Sequence, residues 1–156
     1  EIGTIDFCFF VLFPHFLFVF LTAEPVEEQE GQGVFVYEKT GSRYEGAWLR
    51  KGGTFLKHGH GKYTDREESY EGDFVEDKME GTGEYHFASG AVYSGMWHAN
   101  EFEGNGKYVW RDGTYYEGEW KQNRMHGSGK YVDSSGKEWH GEFYNGRGPG
   151  LYLHIE

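Results

Sequence analysis

One pattern returns at a fixed interval of 23 residues between Gly81 and Tyr131. Gly81-Thr82-Gly83-Glu84-Tyr85, Gly104-Asn105-Gly106-Lys107-Tyr108 and Gly127-Ser128-Gly129-Lys130-Tyr131 form one series. Tyr93-Ser94-Gly95-Met96-Trp97 and Tyr116-Glu117-Gly118-Glu119-Trp120 alternate with them at the same spacing. A constant period of this length signals a repeat architecture. In an extended chain every second side chain faces the same way, so Tyr116, Gly118 and Trp120 share a face, as do Gly127, Gly129 and Tyr131. Both glycines of each Gly-x-Gly pair are therefore expected to give clearance to aromatic rings of a neighbouring strand, offsetting the weakness of Gly in a strand. The opposite face carries Glu117, Glu119, Lys107 and Lys130 and reads as solvated, with cross-strand ion pairs.

The pattern extends outward in both directions. Gly31-Gln32-Gly33-Val34-Phe35 is half a unit. Tyr44-Glu45-Gly46-Ala47-Trp48 pairs with Gly59-His60-Gly61-Lys62-Tyr63, and Tyr70-Glu71-Gly72-Asp73-Phe74 leads into Gly81. Trp139-His140-Gly141-Glu142-Phe143 with Gly148-Pro149-Gly150-Leu151-Tyr152 closes the series, and Pro149, which cannot donate to a ladder, marks it as a C-terminal cap. The step from Trp48 to Gly59 is 11 residues where later units have 7, so Leu49 to His58 is expected to be a loop carrying a four-residue insertion.

Turn residues fall between these segments. Gly41, Gly90, Gly113 and Gly136 each precede the next motif aromatic by three residues, where positive φ is expected. Asp77, Asn100 and Asn123 sit three residues after Phe74, Trp97 and Trp120 and tolerate left-handed geometry. The connection from Thr64 to Ser69 has no Gly and needs a different turn. The chain is therefore expected to be all-β: an elongated, twisted antiparallel meander of about five hairpins over residues 31–156. An apolar leader (1–23) and an acidic linker (24–30) precede it.

Charge and composition narrow the function. The net charge is −11, and residues 1–30 hold six acids and no Lys or Arg, which excludes the basic footprint of a nucleic-acid binder. The Phe7 to Leu21 run is apolar but only 15 residues long and interrupted by Pro14 and His15. A spanning helix needs about 20 apolar residues, so packing against protein is favoured over a membrane anchor. Cys8 is the sole cysteine, which leaves no intrachain disulfide and no thiolate metal site.

Candidate catalytic and cofactor chemistry is thin. Gly127-Ser128-Gly129-Lys130 resembles a phosphate loop, but Arg124 and Tyr131 stand where that motif needs Gly and Ser or Thr. His58 and His60 offer two imidazoles without further ligands to complete a zinc site. No carboxylate pair is marked as an acid and base, and no catalytic, cofactor or metal residue is expected. Most motif aromatics read as packing between hairpins. The off-motif apolar residues Phe55, Leu56, Met79, Phe102, Trp110 and Met125 are the candidates for partner contact, because exposed aromatic and Met patches mark interfaces.

The motifs YEGAW, YEGDF, YSGMW, YEGEW and WHGEF, with GHGKY, GTGEY, GNGKY and GSGKY, resemble the MORN (membrane occupation and recognition nexus) repeat over residues 31–152. The resemblance implies a structural or tethering role without catalysis and no cofactor. It implies partners among axonemal or cytoskeletal proteins, with a partner segment received in the groove of the sheet. A location in a cilium, flagellum or the cytoplasm follows from it, with the cytoplasmic face of a membrane as the alternative. The acidic chain disfavours anionic headgroups, which attract Lys and Arg clusters.

Overall fold

The computed structural model describes residues 28–154. The leader, Cys8 and most of the acidic linker lie outside the described residues. Eleven strands follow one another along the chain: β1 (Gln29–Tyr37), β2 (Ser42–Lys51), β3 (Thr54–Asp65), β4 (Glu68–Val75), β5 (Lys78–His86), β6 (Val92–His98), β7 (Glu101–Val109), β8 (Tyr115–Lys121), β9 (Arg124–Val132), β10 (Glu138–Phe143) and β11 (Tyr152–Leu153). They form one open antiparallel sheet in which spatial order equals chain order. The expected all-β meander is present: half a unit, β1, and then five hairpins.

Three local expectations are corrected. The first strand begins at Gln29, so the last residues of the acidic linker already pair, Gln29 with Arg50 and Glu30 with Leu49. Leu49 to His58 is not a loop. Gly52 and Gly53, with φ of 58° and 83°, close a tight turn, and the four extra residues divide two to each strand, lengthening the β2–β3 hairpin. At the C-terminal end, Gly148, Pro149 and Gly150 lie outside any strand, and only Tyr152 and Leu153 pair with β10.

The turn chemistry matches the sequence reading. Gly41, Gly90, Gly113 and Gly136 all have positive φ, and so do Asp77, Asn100 and Asn123. Glu76, Ala99 and Gln122 immediately before them are also left-handed, which makes each hairpin tip a two-residue turn whose twist suits the flanking strands. In the connection without glycine, Arg66 takes φ of 53° instead.

A ladder of glycines crosses the sheet in strict register: Gly33, Gly46, Gly61, Gly72, Gly83, Gly95, Gly106, Gly118, Gly129 and Gly141. The core lies on one side of it. Tyr44, Tyr70, Tyr93 and Tyr116 are essentially inaccessible and pack with Phe74, Trp97, Phe102, Trp120 and Phe143. An uninterrupted row of missing side chains is what lets a sheet only one layer thick bury large rings on its own surface.

Candidate protein-binding face

The two glycines of each Gly-x-Gly motif divide their work, which corrects the expectation that both clear space for rings. The first one, at Gly59, Gly81, Gly104 or Gly127, has positive φ and sits at a β-bulge within its hairpin. A Cβ on Gly81 would point toward Asp73 and one on Gly104 toward Met96, away from the buried rings. The second glycine does lie beneath a ring. A Cβ on Gly83 would fall 2.4 Å from the Tyr70 hydroxyl, and Gly61, Gly106 and Gly129 stand in the same relation to Tyr44, Tyr93 and Tyr116.

Each of these tyrosines reaches across the bulge. The hydroxyls of Tyr70, Tyr93 and Tyr116 donate to the carbonyls of Asp73, Met96 and Glu119 at 3.0, 2.9 and 2.9 Å, and Tyr44 does the same to Ala47. The carbonyl freed by the bulge thus regains a partner. Burial pushes the Tyr44 and Tyr116 phenols up to about 12, and those of Tyr70 and Tyr93 upward as well. Trp97 and Trp120 extend the packing to the neighbouring hairpin, their indole N–H groups donating to the carbonyls of Gly83 and Gly106 at 3.1 and 3.0 Å.

Beside this buried row runs a second row of rings that is only half covered. Tyr85 and Phe87 have ring centroids 4.5 Å apart, Phe87 and Tyr108 5.6 Å, Tyr108 and Trp110 4.9 Å, and Trp110 and Tyr131 6.0 Å. All pack against the core from outside it. Phe87, Tyr63 and the tyrosines of this row escaped the choice of candidate residues, although the 23-residue step from Phe87 to Trp110 carries the signal.

The six candidates divide. Met79, Trp110 and Met125 are half-buried on this face, beside the second row. Phe102 is corrected: it is buried, stacks on Tyr93 with ring centroids 3.8 Å apart, and belongs to the core. Phe55 is exposed and Leu56 half-buried, but both lie on the lengthened first hairpin, where Phe55 packs on Trp48 at 4.9 Å. Met79, Phe102 and Met125 occupy one structural position, each paired with the last aromatic of its hairpin's first strand.

In the first hairpin that position holds Lys57, paired with Trp48. Its ammonium lies 5.8 to 5.9 Å from the ring centroids of Tyr37, Tyr44 and Tyr63 and 2.7 Å from Asp77. A half-buried cation is tolerated here because ring faces and a carboxylate surround it. Lys57, Tyr37, Tyr63 and Asp77, with Met79 and Tyr85, line an open pocket of about 800 Å³ at one end of the half-covered row.

The opposite face is polar, as expected. Lys62 and Glu71 pair at 2.9 Å, and Lys130 lies between Glu117 and Glu138 at 3.9 and 3.7 Å. Such exposed pairs contribute little stability each. His60 meets Asp73 at 3.1 Å, and the His58 Nδ1 accepts the Glu76 N–H at 3.4 Å. Among the described residues, no group of three or more His, Cys, Asp or Glu is arranged to hold a metal ion, and no helix is long and apolar enough to cross a membrane. The family model of the MORN repeat matches residues 56–67, 70–92, 93–115 and 116–138, more than half of the chain.

Proposed function

Since this chain belongs to the MORN repeat family, we propose that it is a non-enzymatic protein-binding scaffold that docks a partner segment along its half-covered aromatic row. The observation that carries this reading is the row itself. Tyr85, Phe87, Tyr108 and Trp110 stand on one side of a single-layer sheet, flanked by Met79 and Met125, with no second layer over them among the described residues. Aromatic and Met side chains presented together in this way are suited to burial against another protein. The acidic chain favours a partner segment with basic residues.

A role as a structural subunit of a ciliary or flagellar axoneme extends the reading. It rests on the resemblance of the repeats, and of the ending WHGEFYNGRGPGLYLHI, to the small MORN repeat-containing protein 2 group. The test places a photo-crosslinking phenylalanine at Trp110 in the full chain, expressed in ciliated cells. One dominant adduct with an axonemal protein, weakened by substitution of Met125, is the expected result. Adducts at Trp110 no stronger than at exposed Lys121 on the polar side, or flotation of the full chain with liposomes, would overturn it in favour of no docking row or of a membrane tether.

A further inference from the structure

The first strand is an incomplete part of the repeat, and the register of the array states what would complete it. Within each unit a Gly-x-Gly-x-Tyr strand is preceded by a Tyr-x-Gly-x-Trp or Tyr-x-Gly-x-Phe strand. The two aromatics pair directly, Tyr70 with Tyr85 and Tyr93 with Tyr108, and the glycines pair two residues on, Gly72 with Gly83 and Gly95 with Gly106. The tyrosine ring then covers the second glycine.

Strand β1 carries the second half of this unit, with Gly33 and Phe35 in the places of Gly83 and Tyr85. On its inner side it pairs in the usual way, Gly33 with Gly46 and Phe35 with Tyr44. On its outer side no strand pairs with it among the described residues. Gly33 has no tyrosine hydroxyl above it: a Cβ there would meet the Trp48 Nε1 at 3.2 Å and the Phe35 ring at 3.3 Å, where Gly61, Gly83, Gly106 and Gly129 meet a phenol at 2.3 to 2.5 Å.

The two ends of the sheet also differ in how they are protected. At the C-terminal end the last strand is two residues long and follows Pro149, which blunts that edge. At the other end β1 is nine residues long, QEGQGVFVY, with no Pro, no Lys and no bulge against β2, and Val34 and Val36 are 53% and 63% exposed. A long regular edge of this kind is a template for an added strand.

We infer that the outer edge of β1 is a docking site for an extended segment of another protein. The segment bears an aromatic residue, a spacer and a glycine, adds antiparallel to β1, and seats its aromatic ring opposite Phe35 and over Gly33. Backbone hydrogen bonds along β1 supply affinity, and the glycine slot supplies selectivity, since a residue larger than Gly facing Gly33 would occupy the space the ring needs. This edge is separate from the half-covered aromatic row, so the two sites fail independently.

The probe is a fluorescent peptide copying the chain's own β2, SRYEGAWLRK, whose three cations against one acid also suit the acidic protein. Added to the full chain, it is expected to bind saturably and to slow amide hydrogen exchange across Gly31 to Tyr37. The same peptide with its Tyr changed to Ser and its Gly to Val is expected to bind at least tenfold more weakly. Gly33→Ala in the protein, whose Cβ needs its neighbours to give by only a few tenths of an ångström inside the chain, is expected to abolish binding while exchange around Trp97 stays slow. Equal binding of the altered peptide, or no saturable binding, overturns the inference. So does protection of the β1 edge in the chain alone: if independent of concentration, residues 1–27 fill it, and if concentration-dependent, a second copy does.

Discussion

The Asp77 carboxylate accepts the Lys57 backbone N–H at 2.9 Å, and the Asp77 N–H donates to the Lys57 carbonyl at 2.9 Å, so one residue of a hairpin tip closes a two-bond clamp on the hairpin before it. The clamp recurs every 23 residues. Asn100 accepts from the Met79 N–H and donates to its carbonyl, and Asn123 does the same to Phe102. The turn residue before each clamp is tied as well: the Ala99 and Gln122 N–H groups donate to Glu80 at 2.9 Å and to Glu103 at 3.0 Å. Neighbouring hairpins are thus joined at their tips as well as along their strands, which adds to the nearest-neighbour coupling on which a repeat array depends.

Asn100→Gly separates the two duties of that residue. Glycine keeps the left-handed φ of 72° at no steric cost but leaves the Met79 N–H without its partner, an expected loss of about 1 to 2 kcal/mol. Asn100→Ala loses the same bond and adds strain at positive φ, about 1 kcal/mol more. Urea titration of the full chain measures both, and hydrogen exchange at Met79 locates the opening. Asn100→Gly matching the parent in both readouts would show that the clamp does not stabilise the tip.

The buried rings predict unequal costs for two outwardly similar glycine changes. Gly83→Ala would put its Cβ 2.4 Å from the hydroxyl and 2.6 Å from the ring of Tyr70, which is 1% exposed and has nowhere to move. The expected loss is about 3 kcal/mol or more. Gly113→Ala meets nothing within 4 Å and costs only the strain of φ at 86°, about 1 kcal/mol. Equal shifts in urea midpoint for the two variants would refute the ring-over-glycine account.

What could be read from the sequence follows from what glycine and tyrosine can do that other residues cannot. The ladder from Gly33 to Gly141 and the four buried tyrosines were legible because period-two alternation leaves those positions no alternative. The separate work of Gly81 and Gly83 was not, because alternation assumes an unbroken strand and the bulge at Gly81 reverses the facing there. The clamp role of Asn100 was hidden behind its equally good reason for being at a left-handed turn. Phe102 was misplaced because it stands outside the motif, at a hairpin tip. The rings that bury it, Tyr93, Trp97 and Trp120, stand on other strands and meet it only in three dimensions. The half-covered row was seen in part, through Trp110, but not in its continuity with Phe87 and Tyr85.

Histidine 98 links hairpin tips to pH. Its Nδ1 lies 2.8 Å from Glu80, and that hydrogen bond, with the carboxylate's charge, raises the imidazole above its ordinary 6.5; Glu103 adds to the rise and Lys78 opposes it. Glu80 is lowered from 4.5, first by the Ala99 N–H and then by His98. The raised His98 contributes stability fully below pH 6.5, lost as pH rises through its folded value. The lowered Glu80 contributes above pH 4.5, and that is lost as pH falls through its folded value. Both contributions are therefore in place between about pH 4.5 and 6.5. NMR titration of the His98 ring is expected to give a midpoint above 6.5 that falls toward 6.5 in Glu80→Gln; an unchanged midpoint would assign the shift elsewhere.

Phe102 and Trp110 provide the sharpest division between holding the fold and meeting a partner. Phe102 is buried, stacked on Tyr93 and edge-on to Trp97 and Trp120 at 4.8 and 5.3 Å, so Phe102→Ala removes a ring from the centre of the core. The expected loss is about 3 to 5 kcal/mol. Trp110 is half-buried against Tyr108 and Tyr131, so Trp110→Ser is expected to cost about 1 to 2 kcal/mol, the part of its area already removed from water. Its effect on partner capture should be the larger one: a well-packed aromatic anchor commonly carries 2 kcal/mol or more of binding, about a thirtyfold loss of affinity. Urea denaturation and crosslinking yield, compared for both variants in the full chain, measure this. A Trp110→Ser protein that unfolds as easily as Phe102→Ala would place Trp110 in the core, and one that keeps its full crosslinking yield would remove it from the docking surface.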